Sequence, residues 1–131
     1  MKRLSIIFFI ISNSILYGQT KPQGSYKLIA IKDFISNHTD TTSQQISGGG
    51  ITFKSDTTIL GSMSINSFMA SYHVNHNNIK IKTGAYTKIC CDNNLSGQFY
   101  RELGQMENFL ISGDSLILTR PNKNLYLLKI K

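Results

Sequence analysis

Short alternations of apolar and polar residues recur along most of the chain, and they predict β-strands separated by polar turns. The segment 79–83 reads IKIKT, which buries its isoleucines on one face of a sheet and exposes its lysines on the other. Residues 36–50 are rich in Ser, Thr, Asn, Gln and Gly and predict a long surface loop, with a short strand near Gln45 as an option. Further strands are predicted at residues 26–32, 51–53, 58–61, 66–74, 109–111, 116–119 and 125–130.

One helix is predicted at residues 94–105, with Asn93 or Asn94 as its cap and Gly104 at its end. Gly97 weakens this helix by about 1 kcal/mol, so packing against a sheet has to compensate. The fold class is therefore α+β and mostly β: a curled or barrel-like antiparallel sheet of about seven or eight strands with this helix packed on it. Four apolar residues share one face of the helix: Leu95, Phe99, Leu103 and Met106.

The first 18 residues have the layout of a secretory signal peptide. Lys2 and Arg3 precede an apolar run, and a polar break follows, with Gly18 as the preferred cleavage position. An uncleaved anchor is the alternative. Because no cysteine lies near this position, we expect no lipid anchor. The sequence thus predicts a signal peptide at 1–18 and a single domain at 19–131, with its core at 24–131, in a soluble periplasmic or secreted protein.

The charge of the chain changes once that segment is set aside. The 131 residues carry 14 Lys and Arg against 7 Asp and Glu, a net charge of +7. Losing Lys2 and Arg3 leaves 12 basic against 7 acidic side chains, or +5. The basic residues are dispersed, without a run or a basic-aromatic motif, so we expect no nucleic-acid partner. Weak contact with an anionic envelope surface is the more reasonable expectation.

Several segments carry glycine, asparagine and aromatic residues in a fixed order. Residues 61–72 read GSMSINSFMASY and resemble the pattern G-x-x-G-C-N-x-F-x-G-x-Y, and residues 87–91 read TKICC and resemble T-x-M-A-C. Residues 24–28 (GSYKL) and 109–118 (FLISGDSLIL) resemble the opening and the close of the same domain. These patterns are those of the META domain, the domain of the heat-shock protein HslJ family of bacterial envelope proteins.

The resemblance covers nearly all of the chain after residue 18, with three departures. Tyr26 stands where a Trp is usual, Ser64 stands for a Gly, and Ile65 stands for the first Cys. The positions that match the motif are candidate structural or binding residues: Gly61, Asn66, Phe68, Tyr72, Thr87 and Cys91.

The resemblance implies a non-enzymatic binding or stress-response module of the bacterial envelope, and we expect a monomer without a cofactor. The alternative is a small β-barrel that carries an apolar ligand. A hydrolase ranks last, because no local motif singles out a catalytic serine. Glu102 and Glu107, at the end of the predicted helix, are the one close pair of carboxylates. The side chains that would line a ligand cavity are Phe53, Phe68, Tyr72 and Leu118.

The remaining candidates for chemistry each have a structural interpretation. Cys91 is favoured as a buried small apolar residue; a disulfide with the adjacent Cys90, or a reactive or intermolecular thiol, is the alternative. His73 and His76 would point to opposite faces of a strand, so no metal pair is expected. Asn66 lies between apolar neighbours and must satisfy its amide on backbone groups, which predicts a structural bracket, with a ligand contact as the alternative.

Overall fold

The computed structural model describes residues 21–42 and 47–130. The predicted signal peptide and the optional strand near Gln45 therefore lie outside the described residues. Nine strands and one helix follow one another: β1 (Gly24–Asp33), β2 (His38–Thr41), β3 (Gly50–Phe53), β4 (Thr58–Ser62), β5 (Ser67–Asn75), β6 (Asn78–Tyr86), α1 (Asn94–Leu103), β7 (Asn108–Ser112), β8 (Ser115–Arg120) and β9 (Lys123–Ile130).

The strands form one antiparallel sheet that closes on itself. Seven of them lie in the order β3 to β9, and β1 pairs with β3 at one end of this series and with β9 at the other. β1 closes the ring because its first half, from Gly24 to Lys27, pairs with β3, and nearly its whole length pairs with β9. The prediction of a barrel-like, mostly β fold is thus confirmed, with eight strands in the ring.

The ninth strand, β2, lies within the segment that was predicted to be a loop, and that part of the prediction is wrong. Its sequence, HTDT, contains no apolar side chain, so it gives no alternating signal. It forms by main-chain pairing with the second half of β1, from Ala30 to Asp33. β3 pairs with the first half of β1, from Gly24 to Lys27, so β2 and β3 pair with different parts of β1.

The buried core fills the ring and includes the inner face of the helix. Leu116, Leu118 and Leu125 have no exposed surface, and neither do Phe99 and Leu103 of α1. Each such burial stabilises the fold by roughly 1.5–3 kcal/mol. The four side chains considered as a cavity lining all belong to this one core cluster: Phe53, Phe68, Tyr72 and Leu118.

The seam between β6 and β7 is the weakest in the ring, and α1 lies beside it. Only Asn78 and Asn108 are paired in register there. The Tyr100 hydroxyl of α1 donates a hydrogen bond of 2.8 Å to the Gly84 carbonyl of β6. The helix begins at Asn94 as predicted and ends at Leu103, two residues earlier than expected, with Gly104 as its C-cap.

Candidate functional site

The structure brings part of the predicted motif together at one end of the barrel. Asn66 lies in the turn between β4 and β5, and Thr87 lies in the connection from β6 to α1, which residues 87–93 form. Gly61 and Phe68 face each other across β4 and β5 beside this turn. Tyr72 lies apart from the group, farther along β5, where its hydroxyl donates a 2.7 Å hydrogen bond to the Ser55 carbonyl.

Asn66 fastens the turn to the connection by its side-chain amide, and only 4% of its surface is exposed. Its Oδ1 accepts hydrogen bonds from the Thr87 hydroxyl and from the Ile89 N–H, both at 2.7 Å. Its Nδ2 donates to the Ile89 carbonyl at 2.7 Å and to Oδ2 of Asp92. The expected hydrogen bonds to backbone groups are present, and a carboxylate that the sequence did not single out completes the set.

Asp92 holds the opposite side of the same turn. Its Oδ1 accepts from the N–H groups of Ile65 and Asn66, at 2.6 and 3.1 Å, and from the Ser64 hydroxyl at 3.0 Å. Burial alone would raise the pKa of this carboxyl, but the hydrogen bonds from Asn66, Ile65 and Ser64 outweigh it and lower the pKa. We refer to Asn66 and Asp92 together as the amide–carboxylate clamp.

The clamp also fixes the start of the helix. Asn93 caps α1, because its Oδ1 accepts from the Ser96 N–H at 2.8 Å. The Ser64 hydroxyl lies 3.0 Å from the fully buried Ser96 hydroxyl and accepts from the Asn93 N–H at 2.9 Å. Ser64, where the family pattern has a glycine, thus joins the turn to the helix in this chain.

The ring of Phe68 leaves no room for a side chain at position 61, where this chain has glycine. The two residues are register partners, and a Cβ built on Gly61 would collide with that ring. The Phe68 ring in turn meets Tyr100 edge to face at a centroid distance of 5.0 Å. Gly61 and Phe68 therefore form one packing unit between β4 and α1 in this chain.

The two cysteines differ from the favoured expectation. Cys91 is exposed, so its interpretation as a buried apolar residue is wrong, and its sulfur lies next to that of Cys90. The inward contacts of this connection are made by the backbone of Ile89 and the side chain of Asp92, and the cysteines between them face solvent. Ile65, which stands where relatives have the other motif cysteine, is 49% exposed.

Glu102, near the end of the helix, is paired with two cations. Oε1 of Glu102 accepts from Nε of Arg120 at 2.8 Å, and its Oε2 accepts from Nζ of Lys123 at 2.9 Å. Burial raises the pKa of this carboxyl, but the hydrogen bonds and charges of the two cations lower it overall. His73 and His76 are exposed. Within residues 21–42 and 47–130, no three histidine, cysteine or acidic side chains are grouped as metal ligands.

Chemically, the site holds two loops in fixed positions. Every buried side-chain nitrogen or oxygen in the described part of the chain has a hydrogen-bond partner. A carboxylate bound like that of Asp92 stays ionised at neutral pH, and protein groups occupy its acceptor positions. Asp92, Ser64 and Ser96 were missed at the level of sequence. The available signal was that Asp92 is the only acidic residue between Asp56 and Glu102.

Comparisons with known proteins identify the family and the fold. The family model of the META domain matches residues 23–130. A DUF4847 family protein from Bacteroides vulgatus has a similar fold, with a TM-score of 0.65 and 14% identity over 92% of this chain and 98% of that one. A protein from Burkholderia xenovorans gives a TM-score of 0.63 at 14% identity, over 92% of this chain and 88% of that one.

No curated protein sequence matches the chain. Among the described residues, no helix has both the length and the apolar character needed to cross a membrane. The two solved structures support the barrel with its helix, and the family model covers the whole of that barrel. The chain belongs to the META domain family.

Proposed function

We propose that this protein is an exported META-domain module of the bacterial envelope, periplasmic or secreted, which acts in a stress response by binding rather than by catalysis. Membership of the META family and the signal-peptide layout of residues 1–18 support the envelope location.

One observation carries the binding role: the amide–carboxylate clamp uses its polar groups internally, while the loops that it holds expose apolar side chains. Ile65 is 49% exposed and Ile89 is 60% exposed. The backbone N–H of Ile65 donates to Asp92 and that of Ile89 donates to Asn66, so both side chains extend from backbone that the clamp holds. A catalytic site needs polar groups that are free to meet a substrate, whereas a recognition surface needs exposed side chains on a rigid support. The arrangement at this end of the barrel is of the second kind.

Export is tested by the N-terminus of the chain. We expect protein expressed with its own residues 1–18 to be recovered outside the cytoplasm, with a mass that corresponds to a start at Gln19. A chain that keeps Met1 and remains in the cytoplasm would contradict the proposed location.

The binding role is tested by complementation in a strain that lacks this chain, under envelope stress. We expect Asp92→Asn, provided that it folds, to restore survival, and Ile65→Ser with Ile89→Ser to fail although folded. A catalytic role for the carboxylate predicts the reverse result. Thermal unfolding of both variants, compared with the unaltered chain, shows whether each is folded.

A further inference from the structure

Five exposed apolar side chains lie at one end and on the adjoining outer face of the barrel. Exposure of such residues is unexpected on the outside of a small β protein, where alternation would place polar groups. Their exposed fractions range from 39% to 60%. We refer to this group as the apolar rim: Leu60, Ile65, Met69, Tyr86 and Ile89.

The members of the apolar rim share one surface. Leu60 on β4 and Met69 on β5 are register partners, and Tyr86 on β6 pairs with the neighbour of Met69. Between these three side chains lies an open depression of about 490 Å³. Ile65 and Ile89 occupy the two loops that the amide–carboxylate clamp joins, at the end of the same three strands.

The charged side chains around the apolar rim are lysines, apart from Asp92, whose carboxylate accepts hydrogen bonds within the clamp. No acidic residue occurs from Thr57 to Cys91, a stretch that includes all of β4, β5 and β6. Lys80, Lys82 and Lys88 are exposed there, and in the described part of the chain no salt bridge involves them. Elsewhere the acidic side chains Asp33 and Glu102 are paired with cations. Within the described residues these three lysines thus have no salt-bridge partner, and the carboxylate of Asp92 is bound by the N–H groups of Ile65 and Asn66.

We propose that this face docks on an anionic phospholipid surface. Ile65 and Ile89 enter the boundary between headgroups and acyl chains, and Lys82 and Lys88 contact the lipid phosphates. Apolar side chains combined with lysines, without carboxylates that point freely into solvent, are what binding in the membrane interface requires. The clamp already orders both loops, so little conformational entropy is lost on docking. The inference rests on the proposed export, because that is what brings the chain to the envelope.

The test is sedimentation of the exported chain with vesicles. One set contains phosphatidylethanolamine and phosphatidylglycerol, and the other contains phosphatidylcholine alone. We expect binding to the anionic vesicles at low ionic strength and much weaker binding to the neutral ones. Lys82→Gln with Lys88→Gln is expected to weaken the binding about 25-fold, since each lysine near an anionic surface contributes about fivefold. Ile65→Ser with Ile89→Ser is expected to weaken it at least about tenfold.

Two matched controls have the same chemistry elsewhere on the barrel. Leu110→Ser removes an apolar side chain of β7 that is 48% exposed, and Lys54→Gln with Lys129→Gln removes two exposed lysines. Both controls should bind like the unaltered chain. Equal binding to the two kinds of vesicle, unchanged binding of the rim variants, or no vesicle binding at all would each overturn the inference. Binding to polyglutamate without binding to vesicles would point instead to an acidic protein partner and would overturn it too.

The mass of the same preparation separates this failure from a failure of the proposed export. A chain that retains residues 1–18 would be identified by its mass. Its apolar leader would bind both kinds of vesicle, and the rim substitutions would not change that binding. An exported chain of the expected mass that ignores anionic vesicles would leave the proposed export intact and reject the docking surface alone.

Discussion

Helix α1 is fastened to the barrel at both ends, by two different kinds of chemistry. At its start, hydroxyl, amide and backbone N–H groups gather around Asn66 and the single carboxylate of Asp92. At its end, Glu102 lies between Arg120 and Lys123, which belong to β8 and β9. The first fastening consists mainly of directed hydrogen bonds, and the second consists of opposite charges.

The difference indicates that the start of α1 is held in a defined position, whereas its end is attached by charge attraction. Four hydrogen bonds to one buried amide fix the place and the orientation of two loops, since each bond needs its own donor and acceptor. Ion pairs tolerate more variation in geometry and lose strength in salt. The exposed isoleucines lie at the positioned end, which is where a recognition surface needs a rigid support.

The largest effect is expected from Asn66→Ala. The change removes four hydrogen bonds and leaves the Ile89 N–H and carbonyl without partners, so we expect a loss of about 3–4 kcal/mol in the free energy of unfolding. Urea denaturation measures this loss. The control is Asn75→Ala, at the exposed far end of β5, with an expected change within about 0.5 kcal/mol. Similar losses for the two variants would show that the clamp does not position the loops.

Gly61→Ala is expected to have the next largest effect. The new methyl group collides with the ring of Phe68, and relief of that contact must displace the ring from Tyr100, at a cost of roughly 1–3 kcal/mol. Gly97→Ala is the matched change in α1, where the nearest atom is the guanidinium of Arg101 at 3.4 Å. There we expect a gain of up to about 1 kcal/mol from helix propensity. If thermal unfolding shows both changes to be neutral, the packing argument for Gly61 is wrong.

The barrel could be predicted from the sequence where the signal is local. The alternation at residues 79–83 and the helical spacing of Leu95, Phe99 and Leu103 each identify an element from within one segment, and both elements are present. β2 could not be found in this way, because its four polar residues are held only by pairing with β1. An edge strand without apolar residues takes its structure from a neighbour that lies elsewhere in the sequence.

The candidate site was predictable only in part, for the same reason. Asn66 was found because a polar residue between apolar ones needs partners. Its main charged partner, Asp92, is 26 residues away, and no periodicity links the two positions. The exposure of Cys91 was missed because residue type alone favours burial, whereas the bonds of the Ile89 backbone and of the Asp92 side chain to Asn66 fix this connection with its cysteines toward solvent.

Glu102→Gln tests the charged end of the helix. The substitution keeps the shape of the side chain but removes the charge that Arg120 and Lys123 share, so we expect a loss of about 1–2 kcal/mol at low ionic strength. High salt should reduce the difference from the unaltered chain, in contrast to Asn66→Ala, whose effect should persist. Glu107→Gln, at an exposed carboxylate nearby, is the control. A loss for Glu102→Gln that salt does not change would contradict the assignment of this end to ion pairing.

The smallest effect is expected in the acid dependence of the clamp. The pKa of Asp92 is lowered in the folded chain, because the hydrogen bonds to its carboxylate outweigh its burial. The folded state therefore binds this proton less readily than the unfolded state does. Its stabilising contribution is complete above the ordinary value near 3.8 and is lost as the pH falls below it. Asp92→Asn carries no such proton, so its thermal stability should fall less steeply between neutral pH and pH about 3.

The acid dependence of Glu102, at the other end of the helix, is the comparison that isolates the contribution of Asp92. Glu102 also has a lowered pKa, so Glu102→Gln should flatten the acid dependence as well. Salt distinguishes the two, because screening weakens the bonds of Glu102 to Arg120 and Lys123 far more than those that Asp92 accepts from neutral groups. The acid dependence removed by Asp92→Asn should accordingly be the same at low and high ionic strength. An acid dependence of Asp92→Asn identical to that of the unaltered chain would mean that the clamp holds its loops without help from the charge of Asp92.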